Sequence, residues 1–521
     1  VSTVDATHDA PGSPRQVPTL VATALGLFMI KLDATVVNVA LPDLQAQFRV
    51  GEQGLQWVVA AYSLTMAMFV MAGAALADRR GRRLAYLGGL VVFVAASIGC
   101  GLAPSVTLLG VARGVQGVGA AVISVASLAL LVSAYRGSSA KAKAIGAWTG
   151  ISAVGYALGP SVGGILTGEF GWRSIFWVNP VVGAVAVLLT VRFVAESRDP
   201  HRRPFDLAGQ ALFVVAIGLV TYVLVEGPHA GWASPTMLVL AAVGAAATTA
   251  FVAVERRSAE PMMDLSLFRD RVYAVAIATI FSVMFCVYGT LLIVTQYFQN
   301  VRGHGPTLTG VLMISMTAPS IVAAPLAGRM VGRYGARLPT LLGVGSICVG
   351  TALLVVSTGG PIVWTLVGLA LTGVAGSLAV APATAIAMRA VPEARSGMAS
   401  GIISVQRALG STAGFAIMGS VLAAVVSLTL PGALERDLPD PAQRDRVVEV
   451  IVDDANPRAV TSLIGPGKPL PPEVDRDERL VDAADEAFVA GLRAAWALGF
   501  AAVAAVFVAG WIVFPRGRAA D

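Results

Sequence analysis

Three polar residues interrupt the apolar run Ile30–Pro42, IKLDATVVNVALP: Lys31, Asp33 and Asn38. The run belongs to a segment long enough to cross a bilayer, where one ionised side chain at mid-depth costs about 2.5–3.5 kcal/mol on insertion scales. Such a charge is retained facing a protein interior or a water-filled path, and a carboxyl placed there can take up and release a proton. A second polar pair, Arg113 and Gln116, stands three residues apart in another apolar segment and so shares a helix face. Asp33 is the one acid deep in the first six apolar segments, so we expect it to pair with Arg113. At about 100° per residue, Lys31 and Asp33 lie about 160° apart, whereas Lys31 and Asn38 nearly superimpose. Asp33 should therefore turn toward Arg113, and Lys31, Thr35 and Asn38 toward a different neighbour or the pathway.

Two glycine-rich patterns accompany these charges. Gly73–Arg83, GAALADRRGRR, ends a helix on Asp78 and turns at Gly81 between arginines, which suits a charge latch joining neighbouring helices. Gly155, Gly159, Pro160, Gly163 and Gly164 crowd a single segment. Glycines four apart build a smooth face for a close neighbour, and the proline bends the helix. Gly110 and Gly117 should likewise admit a neighbouring backbone beside Arg113.

The elements that hold these residues follow from composition. Of 521 residues 56% are hydrophobic and 13% charged, which excludes a set of soluble domains and describes an all-α polytopic membrane protein. Windows of about 20 apolar residues predict fourteen transmembrane helices. Arginines and lysines crowd alternate loops, as at Arg79–Arg83, Arg202–Arg203 and Arg333–Arg337, and the opposite loops carry Arg49, Arg173 and Arg302 before the last long one. By the positive-inside rule both termini are cytoplasmic. The formal charge of +6 is thus a topology signal, and no nucleic acid is expected. Cys100, Cys286 and Cys348 fall in apolar segments without metal-ligand spacing. The bias toward arginine, alanine and valine suggests a GC-rich bacterial genome and hence a bacterial cytoplasmic membrane.

The predicted organisation is a disordered tail over 1–16, a six-helix bundle over 17–200, an inserted transmembrane hairpin over 201–260, a second six-helix bundle over 261–515 and a tail over 516–521. The second bundle contains an acidic extracytoplasmic loop at 431–487. There Asp440-Pro441 reads as an N-cap with proline at the first helical position, and the final helix should project outward from the membrane. The turn Gly328–Arg337 echoes Gly73–Arg83 with Gly332 in place of Asp78, as expected of two related halves.

The Asp-Arg-Gly turn, the intramembrane arginine and the glycine-proline segment, together with LDATVVNVALP, resemble the major facilitator superfamily and its fourteen-span drug:proton antiporter branch. The resemblance covers nearly the whole chain outside 431–487. It implies a cytoplasmic gate at Asp78, Arg79, Gly81, Arg82 and Arg83, proton coupling through Arg113 with Asp33, and an export-associated motif at Gly155, Gly159, Pro160, Gly163 and Gly164. The sequence departs from the family pattern at Ala74, where glycine is usual, with Gly73 beside it.

The expected activity is proton-coupled export of amphipathic or hydrophobic small molecules by alternating access. Glu226, near the outer end of the hairpin, is a candidate second proton-titrating group, with a solvated interface residue as the alternative. Lys31, Asn38, Gln116, Tyr288 and Arg407 are candidates for the substrate cavity. An endogenous lipid or secondary metabolite is the alternative cargo. A nutrient importer conflicts with the glycine-proline motif, and a sensor lacks a signalling domain. No paired carboxylates, metal cluster or nucleophile-histidine arrangement points to an enzyme. No phosphate-binding glycine loop points to a nucleotide. The expectation is a monomer without cofactor, whose partners are substrate, protons and membrane lipids.

Overall fold

The computed structural model describes residues 16–515 apart from 136–137, 198–205, 232–233, 259–262, 264, 390, 392–395, 436, 439 and 454–473. Among the described residues the chain is helical throughout. The first half holds α1 (Gln16–Val36), α2 (Leu41–Phe48), α3 (Glu52–Arg80), α4 (Arg82–Leu102), α5 (Val106–Ala134), α6 (Ser138–Phe170) and α7 (Ser174–Phe193). A hairpin follows, α8 (Leu207–Ala230) and α9 (Pro235–Arg257). The second half holds α10 (Arg271–Gln296), α11 (Pro306–Leu312), α12 (Ile314–Tyr334), α13 (Arg337–Ser357), α14 (Ile362–Arg389), α15 (Ser396–Ala433), α16 (Pro441–Asp453) and α17 (Val474–Val513).

Thirteen helices among the described residues are long and apolar enough to cross a membrane. The glycine-rich α6 is not one of these, so the expected count of fourteen stands one above the count made by length and apolarity. A short 3-10 turn, Val37–Ala40, and α2 continue α1, and the joined segment Gln16–Phe48 counts as one span. The expected boundaries near 200 and 260, the tails apart from Gln16, and the middle of the 431–487 loop lie outside the described residues.

Local signals set the helix starts. Ser105 Oγ accepts from the N–H of Leu108, Asp206 caps α8, Ser234 with Pro235 opens α9, and Asp270 Oδ1 accepts from the N–H of Val272 at 2.7 Å. Asp440 Oδ1 accepts from the N–H of Ala442 ahead of α16. Arg479 and Asp437 pair at 2.8 Å to tie α17 to the end of α15.

Within each half the helices pack as a bundle: α5 against α3 and α4, α1 against α6 and α7, α15 against α10 and α17, α14 against α12 and α13. The halves meet along two seams. At one, α3 packs on α15 along its length: a Cβ on Gly401 would meet Met71 Sδ at 2.3 Å, and one on Gly419 would meet Gln56 Nε2 at 2.6 Å. The hairpin closes this seam, with Val225 buried between Ala60 of α3 and Ala416 of α15. Gln210 of α8 also donates to the Met68 carbonyl at 2.7 Å.

The two halves repeat one detail of the arginine turns. Gly81 and Gly335 both take positive φ, 115° and 79°. Two residues beyond each, Arg83 donates to the Val191 carbonyl at 2.8 Å and Arg337 to the Trp511 carbonyl at 2.7 Å. Each arginine thereby fastens its turn to the final span of its own half.

Candidate functional site

Asp33 is sealed inside the first half. Its Oδ2 accepts from Arg113 Nη1, while Oδ1 accepts from Gln116 Nε2 at 2.9 Å and from Asn179 Nδ2 at 2.7 Å. Arg113 is equally enclosed, and both side chains are at most 1% exposed. Arg113 also donates to Gln116 Oε1 and to the Val58 carbonyl, and its guanidinium lies 4.3 Å over the Tyr62 ring. Asn179 reaches on to Ser97 Oγ at 2.9 Å, and Ser97 donates to the Phe176 carbonyl. Helices α1, α3, α4, α5 and α7 thus each supply one or more members. Removing one side of such a buried pair costs about 3–5 kcal/mol, because the other charge is left unpaired.

The expected pairing of Asp33 with Arg113 is present in the geometry. Gln116 belongs to this network; it is fully buried and does not line open space. Asn38 is also fully buried, its Nδ2 donating back to the Thr35 carbonyl at 3.1 Å. The open lining at Lys31 therefore does not extend to Asn38. Asn179, Ser97 and Tyr62 are the members that sequence reasoning did not single out. A polar residue beside Pro180 in an apolar span was the available signal for Asn179.

On the other side of α1, Lys31 remains half-buried at mid-span, as does Arg407 of α15. Thr35, one turn along α1 from Lys31, donates to the Tyr156 carbonyl of α6 at 3.2 Å. Arg407 Nη2 donates to Thr384 Oγ1 at 2.9 Å. Tyr288 stacks edge-on against Tyr156 of α6 at 5.8 Å and Phe415 of α15 at 5.9 Å. These residues form an aromatic, doubly cationic lining where the halves face each other.

The glycines of α6 serve two faces. Gly155, Gly159 and Gly163 lie against α1: a Cβ at these positions would meet the Phe28 carbonyl at 2.6 Å, Thr35 Oγ1 at 1.8 Å and the Val36 carbonyl at 2.5 Å. Gly164 and Gly168 instead meet Pro306, Thr307 and Gly310 of the second half, and Ser161 donates to the Gly310 carbonyl at 3.2 Å. Gly146 and Gly150 share that second face about five turns away, and nothing lies within 4 Å of either. The α6 seam is therefore closed at the end far from the arginine turns and open at the arginine-rich end.

The arginine turn itself is held by a residue that sequence reasoning missed. Glu196, just past α7, accepts from the backbone N–H groups of Arg83 at 3.0 Å and Leu84 at 3.2 Å, capping α4. A Cβ on Gly81 would collide with that carboxylate at 2.7 Å. Asp78 pairs with Arg82 at 3.2 Å. Arg79, expected in the latch, is exposed and turned away from it. Gly73 makes the close helix approach, its Cβ position 3.1 Å from Val122 Cα, which accounts for the tolerance of Ala74. A Cβ on Gly110 would meet nothing within 4 Å, whereas one on Gly117 would run into the Tyr62 carbonyl. Glu226 accepts from the Trp57 indole N–H at 2.6 Å across the hairpin seam.

Helices in two bundles about a seam, with an enclosed carboxylate on one side of α1 and an accessible lining on the other, define a multi-pass membrane transporter. The Major Facilitator Superfamily model matches residues 23–415. The chain belongs to that superfamily. It is 51% identical to the multidrug resistance protein Stp of Mycobacterium tuberculosis, over 96% of this chain and 92% of the relative. It is 41% identical to the drug efflux pump JefA of the same organism, over 97% and 99%. In fold it is similar to a bacterial homologue of the human lysosomal transporter Spinster in an inward-facing, occupied conformation. That match has a TM-score of 0.66 at 14% identity and covers 97% of this chain and 98% of the other.

Proposed function

We propose that this chain is a proton-coupled antiporter that exports amphipathic or hydrophobic small molecules, drugs among them, across a bacterial cytoplasmic membrane. It acts as a monomer with both termini in the cytoplasm. The observation that carries the reading is the enclosed Asp33–Arg113–Gln116–Asn179 network, which shares α1 with the accessible Lys31 lining. The names of its relatives, a multidrug resistance protein and a drug efflux pump, support small-molecule export.

With the arginine-rich end in the cytoplasm, the open α6 seam faces inward and the closed one outward. Asp33, ion-paired in this arrangement, is in the state that follows proton release. Once the drug-loaded protein has opened outward, protonation of Asp33 removes the charge that Arg113, Gln116 and Asn179 hold, freeing α1 to move back against α5 and α7. Gly155, Gly159 and Gly163 let α1 and α6 slide at backbone contact, and Gly164 on Gly310 forms the outer closure that must part. Glu196 and the Asp78–Arg82 pair keep α3, α4 and α7 together as the first half rocks. A proton crossing 100 mV and one pH unit supplies about 3.7 kcal/mol, enough for a several-hundred-fold gradient of a neutral substrate.

The test uses inside-out vesicles. A pH gradient, acidic within, should drive accumulation of a fluorescent drug, and a protonophore or Asp33→Asn should abolish it. Accumulation that ignores both would refute the antiport reading.

A further inference from the structure

We propose that the lining between α1, α6, α10 and α15 selects amphipathic molecules bearing an anionic group, held between Lys31 and Arg407 with the molecule's flat body against Tyr156 and Tyr288. The proposal rests on the exporter reading and narrows its substrate class.

Two cations face this space without a counter-charge. Among the described residues no acid pairs with Lys31 or Arg407. Asp33, two residues from Lys31, is directed to the opposite side of α1 and saturated by Arg113, Gln116 and Asn179. Glu226 is engaged by Trp57, and Glu255 accepts from the N–H of Met263 near the end of α9. Arg407 spends one nitrogen on the neutral Thr384 hydroxyl, and its buried Nε has no hydrogen-bond partner. Two like charges at mid-membrane are costly to hold and repel each other, and an anion between them relieves both penalties. A cationic substrate would add a third positive charge. Charge-assisted bonds to a carboxylate, sulfonate or phosphate match the donors present. The edge-on rings of Tyr156 and Tyr288, the latter backed by the buried Phe415, supply an apolar wall for the remainder of the molecule.

The experiment compares a matched pair of xanthene dyes, the anion fluorescein and a cationic rhodamine ester, for equilibrium binding to the full chain in phosphatidylcholine nanodiscs, beside proton-driven transport of both dyes in vesicles. The expected result is fluorescein bound about tenfold tighter than the rhodamine. Lys31→Gln and Arg407→Gln should each lower that ratio several-fold, and Lys31→Arg and Arg407→Lys should preserve it. Repeating the titration with phosphatidylglycerol in the discs separates two sources of the anion. Competition that disappears in the glutamine variants assigns the site to a lipid headgroup, and no competition assigns it to a free amphipathic anion. Equal binding of the two dyes, with a ratio unmoved by the glutamine variants, would overturn the proposal. Anion-selective binding without proton-driven transport would instead refute the exporter reading and leave the selectivity standing.

Discussion

Lys31 and Asp33 stand two residues apart on α1 in opposite surroundings. Asp33 is sealed by three donors within the first half, and Lys31 stays half-buried on the side of α1 where Thr35 bonds to Tyr156 of α6. One helix turn thus carries the carboxylate and the cation to which the proposed antiport cycle assigns the proton and the substrate. In that cycle any rotation or tilt of α1 moves both together and so joins proton movement to cargo movement.

Asn179 should matter as much as Gln116, although no charge marks it. Its amide bridges Asp33 Oδ1 and Ser97, and a hydrogen bond to a charged group contributes about 1.5–3 kcal/mol. Asn179→Ala is expected to raise the apparent proton affinity, because the carboxylate loses a donor, and slow gradient-driven efflux about tenfold or more. Asn179→Asp, which sets a second carboxylate beside Asp33, should be worse. Efflux measured against external pH checks both.

The two ends of one α6 face predict opposite tolerances. Gly164→Leu drives a side chain into the Pro306 carbonyl and Gly310, so it should wedge the outer closure apart and shift the population toward an outward-open state. Gly146→Leu meets no atom within 4 Å and should leave that population in place. Double electron–electron resonance between spin labels on α6 and α11 distinguishes the two.

Glu196 anchors the arginine turn through two backbone N–H groups at the start of α4. The site is exposed and therefore screened, so Glu196→Ala should cost about 0.5–1 kcal/mol of stability, less at high salt. Thermal unfolding in detergent at low and high ionic strength reads this directly.

Much of this arrangement was legible before any coordinates. A charge inside an apolar run must find a partner, and with one acid available to Arg113 the pairing followed. Glycine spacing likewise announced a close neighbour for α6, and the structure shows that neighbour to be α1. Neutral members of the network were harder to read, since Asn179, Ser97 and Tyr62 are ordinary in membrane helices until a charge is placed beside them. Glu196 lies beyond any span, where periodicity carries no information. Asn38 is enclosed just past α1, which its helical spacing from Lys31 could not show. Arg79 entered the gate through the family resemblance, and in the structure it is exposed.

The account stands most directly on whether Asp33 is the group that exchanges the proton. Purified protein in a weakly buffered solution with a pH indicator should release protons when a transported drug is added, and Asp33→Asn should release none while still binding that drug. Equal proton release from the wild type and Asp33→Asn would contradict the account.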